Sequence, residues 1–218
     1  RGSEMLRKAH VVLITFGTAY VYLHRETNRV VGNCHKLPER TFMCRRLDVE
    51  EIVAEYIALV ERIVRVNPDV HLVFTVSPIR HLRDGLHANQ VSKATLLLAI
   101  EKLVEALPDR CSYFPAYEIM MDELRDYRFY AEDLAHPSRQ AVEYIVEKFC
   151  DAALSPKTKT TMTKVEGIVR AVNHRPNNPR SEAYRTFCKA QLRAIAEIEG
   201  VDLSEEKRAM EQMLQINL

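Results

Sequence analysis

An aspartate and a histidine, Asp133 and His136, stand three residues apart just before a predicted helix. In serine hydrolases a histidine takes the proton of the nucleophile and returns it to the leaving group, while a carboxylate holds the imidazole in one tautomer. A spacing of three residues in a turn lets Asp133 reach Nδ1 of His136 and leaves Nε2 directed into a cleft. The same residues could instead only cap a helix that begins at Pro137. The spacing by itself leaves both interpretations open.

A glycine, Gly17, follows the first long apolar run of the chain, where a strand is expected to end. A glycine at such a position can bring a backbone N–H close to the negative charge that develops on an ester oxygen during attack. The alternative is conformational, because glycine is the residue that most readily accepts a tight turn. Gly17 is therefore a candidate oxyanion donor and equally a candidate turn residue.

A second group of polar residues follows the next apolar run and contains Ser77, Arg80 and His81. Ser77 has the hydroxyl of a nucleophile, but Pro78 lacks the amide that would donate to an oxyanion there, which argues against this role. Arg80 can bind a carboxylate or a phosphate, or it can form a surface ion pair. Arg80 and His81 are therefore predicted to line a site rather than to attack a substrate.

Apolar patterns place these residues at the ends of strands in an α/β fold. Buried strands are predicted over residues 10–16, 70–76 and 111–114, and smaller ones over residues 20–24 and 29–31. Asp48 and Glu51 form a capping box that opens a helix ending at Asn67, and further helices are predicted over residues 92–106 and from Pro137 onward. Residues 33–46 are predicted to be irregular. Parallel sheets usually hold about five or six strands, so we expect further strands upstream of Arg1.

The composition changes after Asp151, where a polar segment leads to predicted helices over residues 162–172, 182–198 and 204–215. We interpret residues 1–153 as an α/β domain and residues 154–218 as a helical appendage, because a separate domain of that length would be marginally stable. A weaker interpretation makes this appendage a protein-interaction or dimerisation element.

The bulk composition argues against several classes of function. The formal net charge is +1, so binding to nucleic acid is not predicted, and the apolar runs are too short for a membrane span. No glycine-rich phosphate loop and no His-x-x-x-His pair occurs, so neither a cofactor nor a metal is predicted. The five cysteines include no Cys-x-x-Cys pair and no signal peptide is visible, which predicts a cytoplasmic location. The oligomeric state is left open.

Several stretches of the chain resemble one known family. They are residues 13–22 (LITFGTAYVY), 32–38 (GNCHKLP), 75–81 (TVSPIRH), 89–93 (NQVSK) and 127–137 (YRFYAEDLAHP). In this order they resemble the GSCFA family, a bacterial branch of the SGNH (GDSL-like) hydrolases, over about residues 11–149. The resemblance implies an α/β/α sandwich with a parallel sheet and a Ser-Asp-His machinery. The Gly-Ser-Cys-Phe-Ala string that carries the nucleophile is missing, so we expect this chain to be a C-terminal portion of such a domain.

The resemblance also implies roles for individual residues. Asp133 and His136 match the Asp-x-x-His pair of the family. Gly17 stands where related hydrolases have Gly-x-Asn, but Ala19 replaces the asparagine, and Asn33 is our candidate for a replacement donor. The residues predicted to bind the substrate are Asn33, Arg80, His81, Asn89 and Lys93.

These expectations combine into a serine esterase or O-acyl hydrolase that is inert in the present form. His136 is the predicted base, Asp133 its orienting carboxylate and Gly17 an oxyanion donor. The expected partner is a small-molecule or carbohydrate ester, because relatives act on acyl esters, often O-acetyl groups. The alternative, which Ala19 supports, is a non-catalytic module on the same fold that binds a carbohydrate or another small ligand.

Overall fold

The computed structural model describes residues 2–32, 34 and 36–215, which divide into two compact units, Arg1–Lys148 and Phe149–Leu218. The strands are β1 Val11–Phe16, β2 Tyr20–His24, β3 Arg29–Val31, β4 Phe42–Arg46, β5 His71–Val76 and β6 Cys111–Tyr113. The helices are α1 Gly2–Lys8, α2 Val49–Val66, α3 Leu86–Ala106, α4 Ala116–Glu118, α5 Arg139–Ala153, α6 Pro156–Asn173, α7 Glu182–Ala196 and α8 Ser204–Gln215. Short 3₁₀ turns cover Glu39–Thr41, Leu82–Asp84 and Tyr127–Phe129, and a π-helical turn covers Ile119–Glu123.

A parallel sheet in the order β1-β5-β6 forms the centre of the first unit. Its two longer strands pair from Val11 with His71 to Phe16 with Val76, so that both end at the same edge of the sheet. Both are nearly continuous apolar runs, which is the pattern of strands in a parallel sheet. The mixed α/β class with additional C-terminal helices agrees with the prediction. The carboxyl edge of such a sheet is where open α/β folds bind their ligands.

The main core of this unit joins the parallel sheet to α2 and α3. The ring of Tyr56 on α2 meets Phe16 and Phe74 edge-on, with centroids 4.7 and 5.9 Å away. Side chains alternate along β1, so that Phe16 is buried while Val11 and Leu13 are 52% and 53% exposed. Within the described residues, β1 therefore covers one of its faces and leaves apolar side chains open on the other.

The capping box predicted at the start of α2 is confirmed. The Asp48 carboxylate accepts the backbone N–H of Glu51 at 2.7 Å, and the Glu51 carboxylate accepts that of Asp48 at 3.1 Å. Two of the four free N–H groups at the helix start are satisfied in this way. The signal is local, since it needs only residues three apart on one turn.

A small antiparallel sheet in the order β3-β2-β4 follows β1. The prediction that residues 33–46 are irregular is wrong for the last five of them, because Phe42–Arg46 forms β4 and pairs with β2. Phe42 is the one buried residue of β4. A strand with a single buried position lacks the alternating apolar pattern by which strands are detected in a sequence.

The start of α3 also differs from the prediction, since the helix begins at Leu86 instead of residue 92. The polar residues Asn89, Ser92 and Lys93 are buried on its first turns. Apolar periodicity cannot detect a helical face whose buried side chains are polar. The correction matters because it places all three residues on one rigid element.

The start of α5 lies two residues later than predicted. Pro137 is not the first helical residue but pairs with Tyr130 in an isolated antiparallel bridge, and the helix begins at Arg139. The Ser138 hydroxyl accepts the N–H of Ala141 at 3.3 Å and so stands in the capping position. Neither Asp133 nor His136 caps this helix, which removes the interpretation that they only cap it.

The second unit holds α6, α7 and α8 around a core of its own. This core contains Ile168, Tyr184, Cys188, Ile195 and Met210. The helix predicted over residues 162–172 is longer and begins at Pro156, where the Ser155 hydroxyl accepts the N–H of Thr158. Across residues 2–32, 34 and 36–215, no helix combines the length and the apolar character needed to cross a bilayer.

Candidate active site

The turn between residues 133 and 136 brings a carboxylate onto an imidazole. Asp133 Oδ2 lies 2.5 Å from Nδ1 of His136. The other carboxylate oxygen, Oδ1, accepts the backbone N–H groups of Ala135 and His136, both at 2.9 Å. Asp133 therefore uses one oxygen to shape the turn and the other to hold the ring.

The same contacts favour the ionised form of Asp133 and one tautomer of the His136 ring. The backbone N–H groups of His136 and Ala135, together with the His136 ring, lower the pKa of Asp133 to about 2. An ionised carboxylate can only accept a hydrogen bond, so Nδ1 of His136 carries the proton and Nε2 is the basic nitrogen of the neutral ring. The side chains are 58% and 50% exposed for His136 and Asp133. This arrangement presents a base to solvent with its tautomer already selected.

Arg80 joins the end of β5 to this turn. Its backbone N–H donates to the carbonyl of Ala135 at 3.1 Å, and its Nη1 donates to the carbonyl of Leu134 at 3.2 Å. Its Nη2 donates to the hydroxyl of Tyr130 at 2.9 Å, and the guanidinium carbon lies 4.0 Å from the centre of that ring. Both terminal nitrogens of Arg80 thus contact the segment that carries Asp133 and His136.

The loop after β1 is held by two neighbouring residues of α3. The ammonium of Lys93 donates to the carbonyl of Gly17 at 2.6 Å and to that of Ser77 at 2.6 Å. The hydroxyl of Ser92 accepts the N–H of Ala19 at 2.8 Å and lies 3.1 Å from the Thr18 hydroxyl. The ends of β1 and β5 are consequently tied to each other through a single lysine.

Lys93 is buried, and within the described residues no carboxylate is hydrogen-bonded to it. The residue is 1% exposed, and its ammonium donates to two neutral backbone carbonyls. Burial lowers the pKa of Lys93 to about 8. A lysine in this position supplies a positive charge below the carboxyl edge of the sheet, and it does not reach an open surface.

His81 and Asn89 lie between these two loops. The side-chain oxygen of Asn89 accepts the backbone N–H of His81 at 3.0 Å, and Asn89 is buried. A Cβ placed on Gly17 would meet Nε2 of His81 at 3.8 Å, so the ring of His81 is a near neighbour of Gly17. The available space therefore does not require glycine at position 17.

Comparison with known families gives two matches along the chain. Residues 1–149 match the GSCFA family, and residues 165–216 match the GSCFA domain protein, C-terminal domain. The first match alone covers more than half of the chain. The chain belongs to the GSCFA family. No curated protein and no solved structure matches it.

The predicted site residues of this GSCFA chain fall into two connected groups. Asp133, His136 and Arg80 form the first group through the contacts of the turn. Gly17, His81, Asn89 and Lys93 form the second, around the ends of β1 and β5. Arg80 and His81 are consecutive residues, so the two groups share a backbone segment. Asn33 lies outside the described residues.

The structure shows the hydrogen bonds of three residues for which roles were considered, Asn89, Lys93 and Ser77. Asn89 and Lys93 are buried and bonded to the backbone, so their role as substrate-binding residues stays a prediction. The Ser77 hydroxyl accepts the N–H of Ile79 at 3.3 Å, and its carbonyl is bound by Lys93. Within the described part of the chain, no group of three or more His, Cys, Asp or Glu side chains is arranged to hold a metal ion.

Two residues of the GSCFA site were missed in the sequence. Ser92 holds the Gly17 loop and Tyr130 receives Arg80, yet neither belongs to a catalytic motif. A signal for Ser92 did exist, because Asn89, Ser92 and Lys93 have the spacing of one helical face. Tyr130 offered no such signal, since its partner is 50 residues away in the sequence.

A cavity of about 270 Å³ is lined in part by residues that hold the turn. Its walls include Arg80 and Tyr130, which also contact the turn, and the apolar side chains of Met120 and Leu124. Arg125 lies at the same cavity. This cavity therefore shares Arg80 and Tyr130 with the contacts that hold the Asp133–His136 turn, while residues 133–136 are not among its walls.

Proposed function

We propose that this GSCFA domain is a serine-type ester hydrolase of the SGNH kind, acting on O-acyl groups of a carbohydrate or another small molecule. One observation carries the proposal, the bond of 2.5 Å between Asp133 and Nδ1 of His136. It holds the imidazole in the tautomer that makes Nε2 a base. An exposed histidine without such a carboxylate would not be held in one tautomer.

In the proposed reaction His136 Nε2 takes the proton of a serine hydroxyl while the serine oxygen attacks the ester carbonyl. The protonated imidazole is stabilised by the ionised Asp133 and then gives its proton to the departing alcohol. Water, deprotonated by the same nitrogen, releases the acid from the serine. The backbone N–H of Gly17 is the proposed donor to the negatively charged oxygen, since the Phe16 carbonyl of the same peptide unit is held by the N–H of Ser77 at 2.8 Å.

The proposed nucleophile is a serine on a segment outside these 218 residues. Two observations support this part of the proposal. Within the described residues, Nε2 of His136 makes no hydrogen bond to a hydroxyl, and Ser77 is followed by a proline. In addition, Val11 and Leu13 leave an apolar face of β1 available for further elements of the same domain.

The test is ester hydrolysis by the full-length protein and by its His136→Ala variant. With p-nitrophenyl acetate and an O-acetylated oligosaccharide, we expect the variant to lose about 10³- to 10⁴-fold in kcat/KM, because both proton transfers lose their carrier. His87→Ala is the matched control, since His87 is exposed on the first turn of α3. Wild-type rates in His136→Ala would overturn the proposal.

A second candidate function is a binding module that does not turn over an ester. Ala19 favours it, because this position offers no side-chain donor and its N–H is already taken by Ser92. A serine-directed fluorophosphonate separates the candidates. The hydrolase is labelled, and His136→Ala suppresses the labelling. A binding module is not labelled and retains its carbohydrate when Asp133 and His136 are both replaced by alanine.

A further inference from the structure

The Asp133–His136 turn needs support from outside itself. Both side chains are half-exposed, and ion pairs at exposed positions contribute little stability. Leu134 between them has φ of 55°, in the left-handed region that a residue with a Cβ adopts only at an energetic cost. Such a conformation persists where the surrounding structure imposes it. The pair alone is therefore a weak explanation for a well-formed turn.

Arg80 contacts this turn at the places where support is needed. The strained residue, Leu134, has its carbonyl bound by Nη1 of Arg80, and the next carbonyl, that of Ala135, is bound by the Arg80 backbone. The guanidinium itself is held by Tyr130, through a hydrogen bond and by stacking on the ring. Arg80 follows β5 closely, so it connects the turn to a rigid element of the core.

We propose that Arg80 is a positioning residue, which braces residues 133–136 so that the Asp133 carboxylate stays on Nδ1 of His136. Its importance for catalysis rests on the hydrolase function proposed above, whereas the brace itself does not. The other possible role, a two-point clamp on a substrate carboxylate, needs the pair of terminal nitrogens. Each of them already donates one N–H to the loop, which turns the guanidinium toward Leu134 and Tyr130.

The pKa of Asp133 reports whether the turn keeps the shape that the brace is proposed to hold. It is low chiefly because the N–H groups of His136 and Ala135 point at Oδ1, which requires the turn to keep its shape. We would measure it in the 218-residue chain by ¹³C NMR of the carboxyl carbons, with Asp133→Asn to assign the resonance. The variants are Arg80→Met, Arg80→Lys and Tyr130→Phe.

The matched control is Arg128→Met. Arg128 lies in the same loop as Tyr130, and its guanidinium stacks on Phe129 with 4.9 Å to the ring centre. Among the described residues, Arg128 forms no hydrogen bond or ion pair with residues 133–136. Its loss should leave the pKa of Asp133 unchanged while removing a comparable contact between a cation and a ring.

We expect Arg80→Met to raise the pKa of Asp133 from about 2 toward the ordinary 3.8 and to weaken the Nδ1 proton signal of His136. Arg80→Lys should behave similarly, because it keeps the charge but cannot reach both acceptors. Tyr130→Phe should cause a smaller rise. If Arg80→Lys alone retains the low pKa, charge and not bracing is the cause, and the proposal is wrong.

An unchanged pKa of Asp133 in folded Arg80→Met would overturn the proposal as well. Should that variant fail to fold by circular dichroism, Arg80→Lys and Tyr130→Phe still decide the question. None of these measurements involves ester turnover, so failure of the hydrolase proposal would leave their outcome unaffected. If the full-length protein does hydrolyse esters, Arg80→Lys should lower kcat more than it changes KM.

Discussion

The two loops at the candidate site are held in opposite ways. The Gly17 loop is bound from below by buried residues of α3, whereas the Asp133–His136 turn is exposed and braced from the side by Arg80. Buried polar contacts are costly to break, because the groups left behind cannot turn to water. Exposed contacts can be exchanged for water at little cost. We therefore expect substitutions at the Gly17 loop to change mainly the free energy of unfolding, and substitutions at the Asp133–His136 turn to change mainly the chemistry of the site.

The largest expected effect on stability is that of Lys93→Met. The variant leaves the carbonyls of Gly17 and Ser77 without a donor in the interior, and it should lower the free energy of unfolding by roughly 2–4 kcal/mol. Urea denaturation of the 218-residue chain measures the change. Lys102→Met on the same helix is the control, because Lys102 forms an exposed pair with Glu50. Equal effects of the two variants would contradict the comparison.

A smaller loss is expected for Ser92→Ala, of about 1–2 kcal/mol, because the N–H of Ala19 loses its buried acceptor. Thr95→Val provides the control within the same helix. The Thr95 hydroxyl donates to the carbonyl of Val91 one turn earlier, so its loss disturbs no other element. If Thr95→Val proves as damaging as Ser92→Ala, the bond to the Gly17 loop has no special weight.

Lys93 should also make stability depend on alkaline pH. Its pKa is about 8 in the folded chain and 10.5 in its ordinary state, so between these values the unfolded chain binds more protons than the folded one. The free energy of unfolding contributed by this group must then rise as the pH goes from 8 to 10.5. Subtracting the profile of Lys93→Met isolates it. A flat difference over this interval would show that the pKa of Lys93 is not lowered in the folded chain.

The smallest expected effect on stability at neutral pH is that of Asp133→Asn, because the aspartate is half-exposed. The difference from wild type should instead depend on acid. With a pKa lowered to about 2, Asp133 contributes stability above pH 3.8 that is lost as the pH falls toward 2. Thermal melts of both proteins between pH 2 and 5 measure it. If the melting temperatures of the two proteins changed in parallel over that range, Asp133 would not have a lowered pKa and the proposed difference between the two loops would be wrong.

Local patterns account for what could be predicted of the fold. The apolar runs that became β1 and β5 and the capping box at Asp48 each depend on residues close in sequence. The start of α3 was misplaced because its buried face is polar. The strand β4 was missed because its extended conformation depends on pairing with β2, which is distant in the sequence. Propensity and periodicity do not contain either kind of information.

Of the candidate site, the sequence by itself placed Asp133 within reach of His136, since three residues in a turn set that distance, and the structure removed the alternative that they only cap a helix. Only the tertiary structure decided what holds that turn and the Gly17 loop. Arg80 meets Leu134 across 54 residues, and Lys93 meets Gly17 across 76. Such contacts follow from how strands and helices pack, which no short spacing encodes. The Asp133–His136 pair is therefore set by residues close in the sequence, whereas the contacts that hold the two loops in place depend on the tertiary structure.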